Sequence, residues 1–166
     1  MSVDEILKER EPNKFICALS DYVTDLNLGG VMPADLKRAP ALVRGVIFIH
    51  AFDLATVNSG IYQWIVELYD GYPQFAKFCD TIKAKKAADY VREAIALFPK
   101  GRVPKSLDAK LDFCEEHESE LDAIDCKFQG ASEDAILKLR DYIASNQNAF
   151  ELEVQKFWAI RRRHKH

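Results

Sequence analysis

The sequence lacks the short motifs that mark common catalytic sites. It has no Gly-rich phosphate-binding loop, no G-x-S-x-G turn and no paired carboxylates in an identifiable cleft. It also has no CxxC pair. Cys114, His117 and Cys126 come nearest to a zinc pattern, but they offer one tight pair where structural zinc uses two. These absences leave an enzyme without support, and we expect no metal site and no cofactor.

Disulfide frameworks and membrane segments are also missing from the sequence pattern. The four cysteines are scattered, which is typical of reduced thiols buried in a core: Cys17, Cys79, Cys114 and Cys126. No apolar run approaches the roughly 18 residues of a membrane helix. Residues 1–10 carry both signs of charge and lack the apolar segment of a signal peptide. We therefore expect a cytoplasmic protein without a membrane partner.

What the sequence does contain is helical periodicity. Its 166 residues are 48% hydrophobic and 30% charged, which suits one globular domain. Apolar residues recur at helical spacing, and no strand alternation interrupts them. The prediction is an all-α single domain of seven or eight helices over residues 1–160, followed by a flexible basic tail over residues 161–166.

Helix boundaries follow from the positions of Pro, Gly and Ser. Pro12 suits the first turn of a helix that Gly29 would end. Residues 41–57 are apolar on most faces, as expected of a central core helix. Ser106 is a predicted N-cap for one long helix that carries the acidic residues described below, and Ser132 is a predicted N-cap for the next helix.

The stretch "VNSGIYQW" places polar residues between two apolar segments and predicts a turn between two helices. Asn58 or Ser59 can cap free backbone N–H groups, and Gly60 lets two backbones approach closely. The alternative is a small polar pocket lined by Asn58, Tyr62 and Gln63.

At the same stretch the sequence resembles the bacterial DNA mimic protein family, whose core reads Asn-Gly-Gly-Phe-x-Gln. The corresponding positions are Asn58, Ser59, Gly60, Ile61 and Gln63. Ser59 replaces a Gly, Ile61 replaces the Phe, and the resemblance covers roughly residues 42–99. It implies an all-helical, non-enzymatic protein whose carboxylates imitate duplex phosphates and thereby block a DNA-binding transcription factor. It also implies that Asn58 caps, Gly60 allows close packing and Gln63 bonds loop backbone.

A dense acidic stretch lies beyond that core. Seven carboxylates occur there without Lys or Arg among them: Asp112, Glu115, Glu116, Glu118, Glu120, Asp122 and Asp125. Duplex DNA carries one negative charge per roughly 1.7 Å of axis, so a file of carboxylates on a helix can approximate its field. The alternative is an ordinary solvated helix face.

These features favour a non-enzymatic protein-binding module. Its acidic residues would occupy the DNA-binding surface of a transcription factor or nucleoid protein. The alternative is a small enzyme or ligand-binding protein with a polar pocket near His50, Asn58, Tyr62 and Gln63. The first interpretation predicts a DNA-binding protein as the partner, held through the acidic face.

Two further features leave alternatives open. His50 and Asp53 lie one helical turn apart, where they either bond each other or a substrate, or are buried polar residues satisfied by neighbours. The tail contains Arg161, Arg162, Arg163 and Lys165. It either contacts nucleic acid, confers solubility, or pairs with the acidic helix of its own chain or of a homodimer mate. We expect no direct nucleic-acid binding.

Overall fold

The computed structural model describes residues 1–25, 33–67 and 72–163. Within these ranges it contains ten α-helices, one short 3-10 turn and no strands, which confirms the all-α prediction. The helices are α1 Val3–Leu7, α2 Pro12–Thr24, α3 Pro33–Arg38, α4 Ala41–Glu67, α5 Tyr72–Thr81, α6 Lys85–Ala96, α7 Leu107–Glu116, α8 Glu118–Lys127, α9 Ala131–Ser145 and α10 Gln147–Arg163. Eight of these have at least seven residues, and α1 and α3 are single short turns.

The helices form two compact units. Unit 1 comprises Met1–His50 with Ile136–His166, and unit 2 comprises Ala51–Ala135. In unit 1, α2 begins with Pro12 as predicted, because a first-turn residue needs no backbone N–H. It ends at Thr24, and the predicted stop at Gly29 lies outside the described residues. The core of unit 1 holds aromatic side chains from α2 and α10: Phe15, Phe150 and Phe157.

Arg161 belongs to that core rather than to a free tail. Its side chain is 3% exposed, donates to the Thr24 carbonyl and stacks over the Phe157 ring at 5.6 Å. The Asp35 carboxylate lies 3.8 Å from its guanidinium, which supplies the opposite charge that a buried cation needs. Arg162 and Arg163 are exposed but still helical. The predicted flexible tail therefore does not begin at residue 161, and residues 164–166 lie outside the described ranges.

The core of unit 2 is an aromatic cluster. The Phe52 ring lies 4.9 Å from Phe75, 5.5 Å from Tyr90 and 6.3 Å from Trp64, all measured between ring centroids. Tilted and edge-on pairs of this kind add to the free energy gained by burying the rings. The cluster joins α4, α5 and α6 within this unit.

Helix α4 is longer than the predicted helix over residues 41–57. It continues to Glu67, and non-helical dihedral angles interrupt it at Ser59 (φ −149°, ψ 21°) and Gly60 (φ 65°, ψ −156°). By length and composition alone α4 is long and apolar enough to span a membrane, a test that the core helix of a soluble protein also passes. The expectation that no apolar run approaches the length of a membrane helix is therefore wrong. It assumed that the helix stops at residue 57, whereas α4 continues through the break to Glu67.

All four cysteines are free thiols, as predicted, but the prediction that all are buried is wrong. Cys79 and Cys114 are buried, and burial raises the pKa of the Cys79 thiol to about 12 and of the Cys114 thiol to about 11. Cys17 and Cys126 are exposed. Both lie on outer faces of amphipathic helices, a position that scattered spacing alone does not reveal.

Candidate protein-binding surface on α7 and α8

The acidic residues lie on two consecutive helices. Helix α7 begins after Ser106, whose hydroxyl accepts the Ala109 backbone N–H at 3.4 Å, as predicted for an N-cap. It ends at Glu116, because the next residue, His117, leaves the helical region with φ −112° and ψ 24°, and α8 then begins at Glu118. The prediction of one continuous helix is therefore wrong. The His117 ring packs on the Phe113 ring with centroids 4.3 Å apart, which fixes the break against a buried side chain.

Six of the seven predicted carboxylates are exposed: Asp112, Glu115, Glu116, Glu118, Glu120 and Asp122. The apolar residues of the same helices, such as Phe113, Leu121 and Ile124, face the interior. Lys110 is the sole Lys or Arg between Ser106 and Cys126, and it is only 8% exposed. Its ammonium donates to the Val66 carbonyl at 3.4 Å. The exposed charge of this segment is therefore entirely negative.

These exposed carboxylates also lack basic partners. Within residues 1–25, 33–67 and 72–163, the structure shows no Lys or Arg ion pair for any of the six. Glu120 has a weaker neighbour, the His117 ring nitrogen at 3.4 Å. Acidic residues of α5 and α6 behave differently, since Asp80 pairs with Arg92 and Glu93 with Lys127. We call the six residues the acidic face.

The acidic face is dense in charge. Six carboxylates fall within residues 112–122, on two helices that meet at His117. Duplex DNA also presents closely spaced negative charges, about one per 1.7 Å of axis. The face therefore resembles a nucleic acid in the sign and the crowding of its charges.

Asp125, the seventh predicted carboxylate, has a different environment. It is half-buried, and its Oδ1 accepts hydrogen bonds from the Ile61 backbone N–H at 3.0 Å and from the Tyr90 hydroxyl. Burial, followed by this hydrogen bond and the negative charge of Asp125, raises the pKa of the Tyr90 phenol well above its ordinary value. Asp125 thus connects α8 to α4 and α6.

The break in α4 leaves a backbone N–H that binds this carboxylate. The helix restarts after Gly60, so the N–H of Ile61 has no partner within the helix and Asp125 supplies one. A Cβ on Gly60 would lie 1.8 Å from Asp125 Oδ2, far inside van der Waals contact. Gly60 therefore does allow a close approach, but the group that approaches is a side chain of α8 and not the second backbone that the sequence predicted.

Comparison with known proteins identifies the family. The DMP19-like protein family matches residues 37–146, about two thirds of the chain, and this range includes the α4 break, α7 and α8. The chain belongs to the DMP19-like protein family. DMP19 is the DNA mimic protein family, so the resemblance drawn from residues 42–99 is confirmed at the family level. No curated protein and no solved structure matches the chain.

Two polar residues near the α4 break donate to groups of their own helix. Asn58 Nδ2 donates to the Leu54 carbonyl at 2.8 Å, and Gln63 Nε2 donates to Glu67 Oε1 at 2.9 Å. The prediction that Asn58 caps free N–H groups is wrong because Asp125 caps that helix start. The prediction that Gln63 bonds loop backbone is wrong, because its amide donates to the Glu67 side chain one turn away. Tyr62 is 37% exposed.

His50 and Asp53 each have neighbours of their own. In unit 1, His50 Nδ1 lies 2.9 Å from Ser20 Oγ and its Nε2 lies 3.7 Å from Cys17 Sγ. In unit 2, Asp53 is 6% exposed and accepts a hydrogen bond from the Ser132 hydroxyl. Because α9 begins at Ala131, Ser132 lies inside its first turn and is not its N-cap, which corrects the prediction. Both residues match the interpretation as polar groups satisfied by neighbours.

Proposed function

We propose that the protein is a non-enzymatic protein-binding module that uses the acidic face to occupy the DNA-binding surface of another protein. The partner would be a transcription factor or a nucleoid protein, met in the cytoplasm. The observation that carries this proposal is a set of six exposed carboxylates that have no Lys or Arg partner among the described residues, inside the segment that matches the DMP19-like family.

The energetics of such binding follow from the unpaired state of the carboxylates. A DNA-binding surface presents Lys and Arg side chains spaced to meet phosphates. Carboxylates that have no internal ion pair can meet those cations without first breaking a bond within their own chain. Association through exposed charges is fast. Its rate and the affinity both fall as the salt concentration rises, because counterions screen both surfaces.

Within this proposal Asp125 holds the acidic face in place and the other six carboxylates contact the partner. Asp125 is committed to Ile61 and Tyr90, so its charge is directed into unit 2. The charge of Lys110 is also directed inward. Its ammonium donates to the Val66 carbonyl and therefore does not neutralise the acidic face.

The test neutralises four charges of the face in one variant that carries Asp112→Asn, Glu115→Gln, Glu116→Gln and Asp122→Asn. We expect it to bind the partner about 30- to 700-fold more weakly at low salt, since each of the four lost charge pairs contributes roughly 0.5–1 kcal/mol. Partners captured from a bacterial lysate would be identified by mass spectrometry. Their affinity would then be measured at several salt concentrations and with competing duplex DNA.

A control variant makes the same change in net charge elsewhere, with Asp4→Asn, Asp21→Asn, Glu133→Gln and Asp141→Asn, all exposed in the structure. It should bind as the wild type does. Equal weakening by both variants would show that overall charge, and not the acidic face, drives binding. A captured partner that duplex DNA cannot displace would contradict occupation of a DNA-binding surface.

A further inference from the structure

Unit 1 contains a cluster of three chemically active side chains that the acidic face does not use. Cys17 and Ser20 lie on α2, and His50 lies on α4. Cys17 is exposed to solvent, His50 is half-buried and Ser20 is buried. The two ring nitrogens of His50 lie 3.7 Å from Cys17 Sγ and 2.9 Å from Ser20 Oγ. The thiol therefore faces a base at one end and solvent at the other.

This arrangement suits activation of the thiol. When the Ser20 hydroxyl accepts the proton on Nδ1, the ring is held with the Nε2 lone pair directed at Cys17. Nε2 can then take the thiol proton and leave a thiolate beside an imidazolium ion. A nucleophile next to a base that a third group orients is the arrangement that raises nucleophilic reactivity in proteins.

The other three cysteines lack these features. Cys79 and Cys114 are buried, and burial raises the pKa of both thiols. Cys126 is exposed on α8, but within the described ranges no hydrogen bond reaches its sulfur. Exposure and a neighbouring imidazole thus coincide at Cys17, and Cys126 offers a matched exposed thiol for comparison.

We propose that Cys17 is a site of reversible thiolation by low-molecular-weight disulfides. His50 accepts the proton of the Cys17 thiol, and the thiolate attacks one sulfur of the disulfide. A bond forms between that sulfur and Cys17 Sγ while the original sulfur–sulfur bond breaks, releasing the second half as a thiolate. Cys17 is oxidised and the released half is reduced. The reverse reaction with excess thiol restores Cys17.

The test compares the two exposed thiols in the intact protein. The wild type would be treated with oxidised glutathione at neutral pH, and modification at each cysteine would be followed by peptide mass spectrometry. We expect Cys17 to react at least about tenfold faster than Cys126, because the His50 imidazole beside it can accept the thiol proton as the sulfur attacks. Reduced glutathione in excess should reverse the modification. Equal rates at Cys17 and Cys126 would overturn the proposal without any variant.

Two substitutions then test the roles of the neighbours. His50→Gln should bring the Cys17 rate down to that of Cys126, and Ser20→Ala should lower it by a smaller factor because the ring loses its orienting partner. Thermal unfolding would verify that each variant folds. A folded His50→Gln variant with the wild-type Cys17 rate would refute the role of the imidazole. None of these rates depends on the acidic face, so the proposed DNA-mimic function can fail independently.

Discussion

Gly60→Ala is expected to lower the free energy of unfolding by at least about 3 kcal/mol. Its dihedral angles, φ 65° and ψ −156°, lie in a region that essentially only glycine occupies, at a cost of about 1–3 kcal/mol for another residue. The added Cβ would also displace the Asp125 carboxylate and leave the Ile61 N–H and the Tyr90 hydroxyl without their acceptor, which costs about 1–3 kcal/mol for each buried donor. Urea unfolding followed by circular dichroism measures the change.

Gly101 supplies the control for this substitution. It also has a positive φ, 63°, but a Cβ there would meet no atom within 4 Å. Gly101→Ala should therefore show only the conformational cost of about 1–2 kcal/mol for a left-handed alanine. Similar losses for the two variants would show that the approach of Asp125 to Gly60 contributes nothing of its own.

The sequence permits a prediction of local features but not of their distant partners. Gly60 between Asn58 and Ile61 indicates a close approach, because glycine is the residue that allows it. The group that approaches is Asp125, 64 residues from Ile61 along the chain. No periodicity or capping rule connects positions so far apart. The sequence therefore predicts that some group packs closely against Gly60, but it does not identify that group as Asp125.

The same limit applies to the acidic face. The sequence pattern places seven carboxylates on helical segments, but tertiary packing determines which of them are exposed. Asp125 turns inward because the α4 break offers an unpaired N–H, and Lys110 turns inward because the Val66 carbonyl lies within its reach. The break at His117 has no Gly or Pro to predict it, since the ring of His117 is held on Phe113 by tertiary packing.

The exposed thiol and the buried arginine show a related failure. Scattered cysteines predict a buried location by residue type, yet Cys17 is exposed beside His50 of another helix. A run of three arginines predicts a solvated tail, yet Arg161 finds Asp35 and the Thr24 carbonyl in unit 1. In each case the deciding neighbour lies on an element that the local pattern does not include.

The division of roles between Asp125 and the acidic face gives the second large effect. Asp125→Ala should lower the free energy of unfolding by about 2–4 kcal/mol, because two buried donors lose a charged acceptor. Asp122→Ala, one turn earlier on α8 and exposed, should change it by less than about 0.5 kcal/mol. The two substitutions remove the same side chain and the same charge from one helix. Urea unfolding of both variants, measured side by side, gives the comparison.

Asp125→Asn then separates the charge of this residue from its position. Asparagine keeps an oxygen that can accept from the Ile61 N–H and the Tyr90 hydroxyl, so the folded variant should hold α8 in place and bind the partner as the wild type does. Asp122→Asn should instead weaken binding by roughly threefold at low salt, because it removes a contact charge. The affinity of both folded variants would be measured across a salt series. If Asp125→Asn weakened binding as much as Asp122→Asn did, Asp125 would be a contact residue and the assignment of six carboxylates to the acidic face would have to include it.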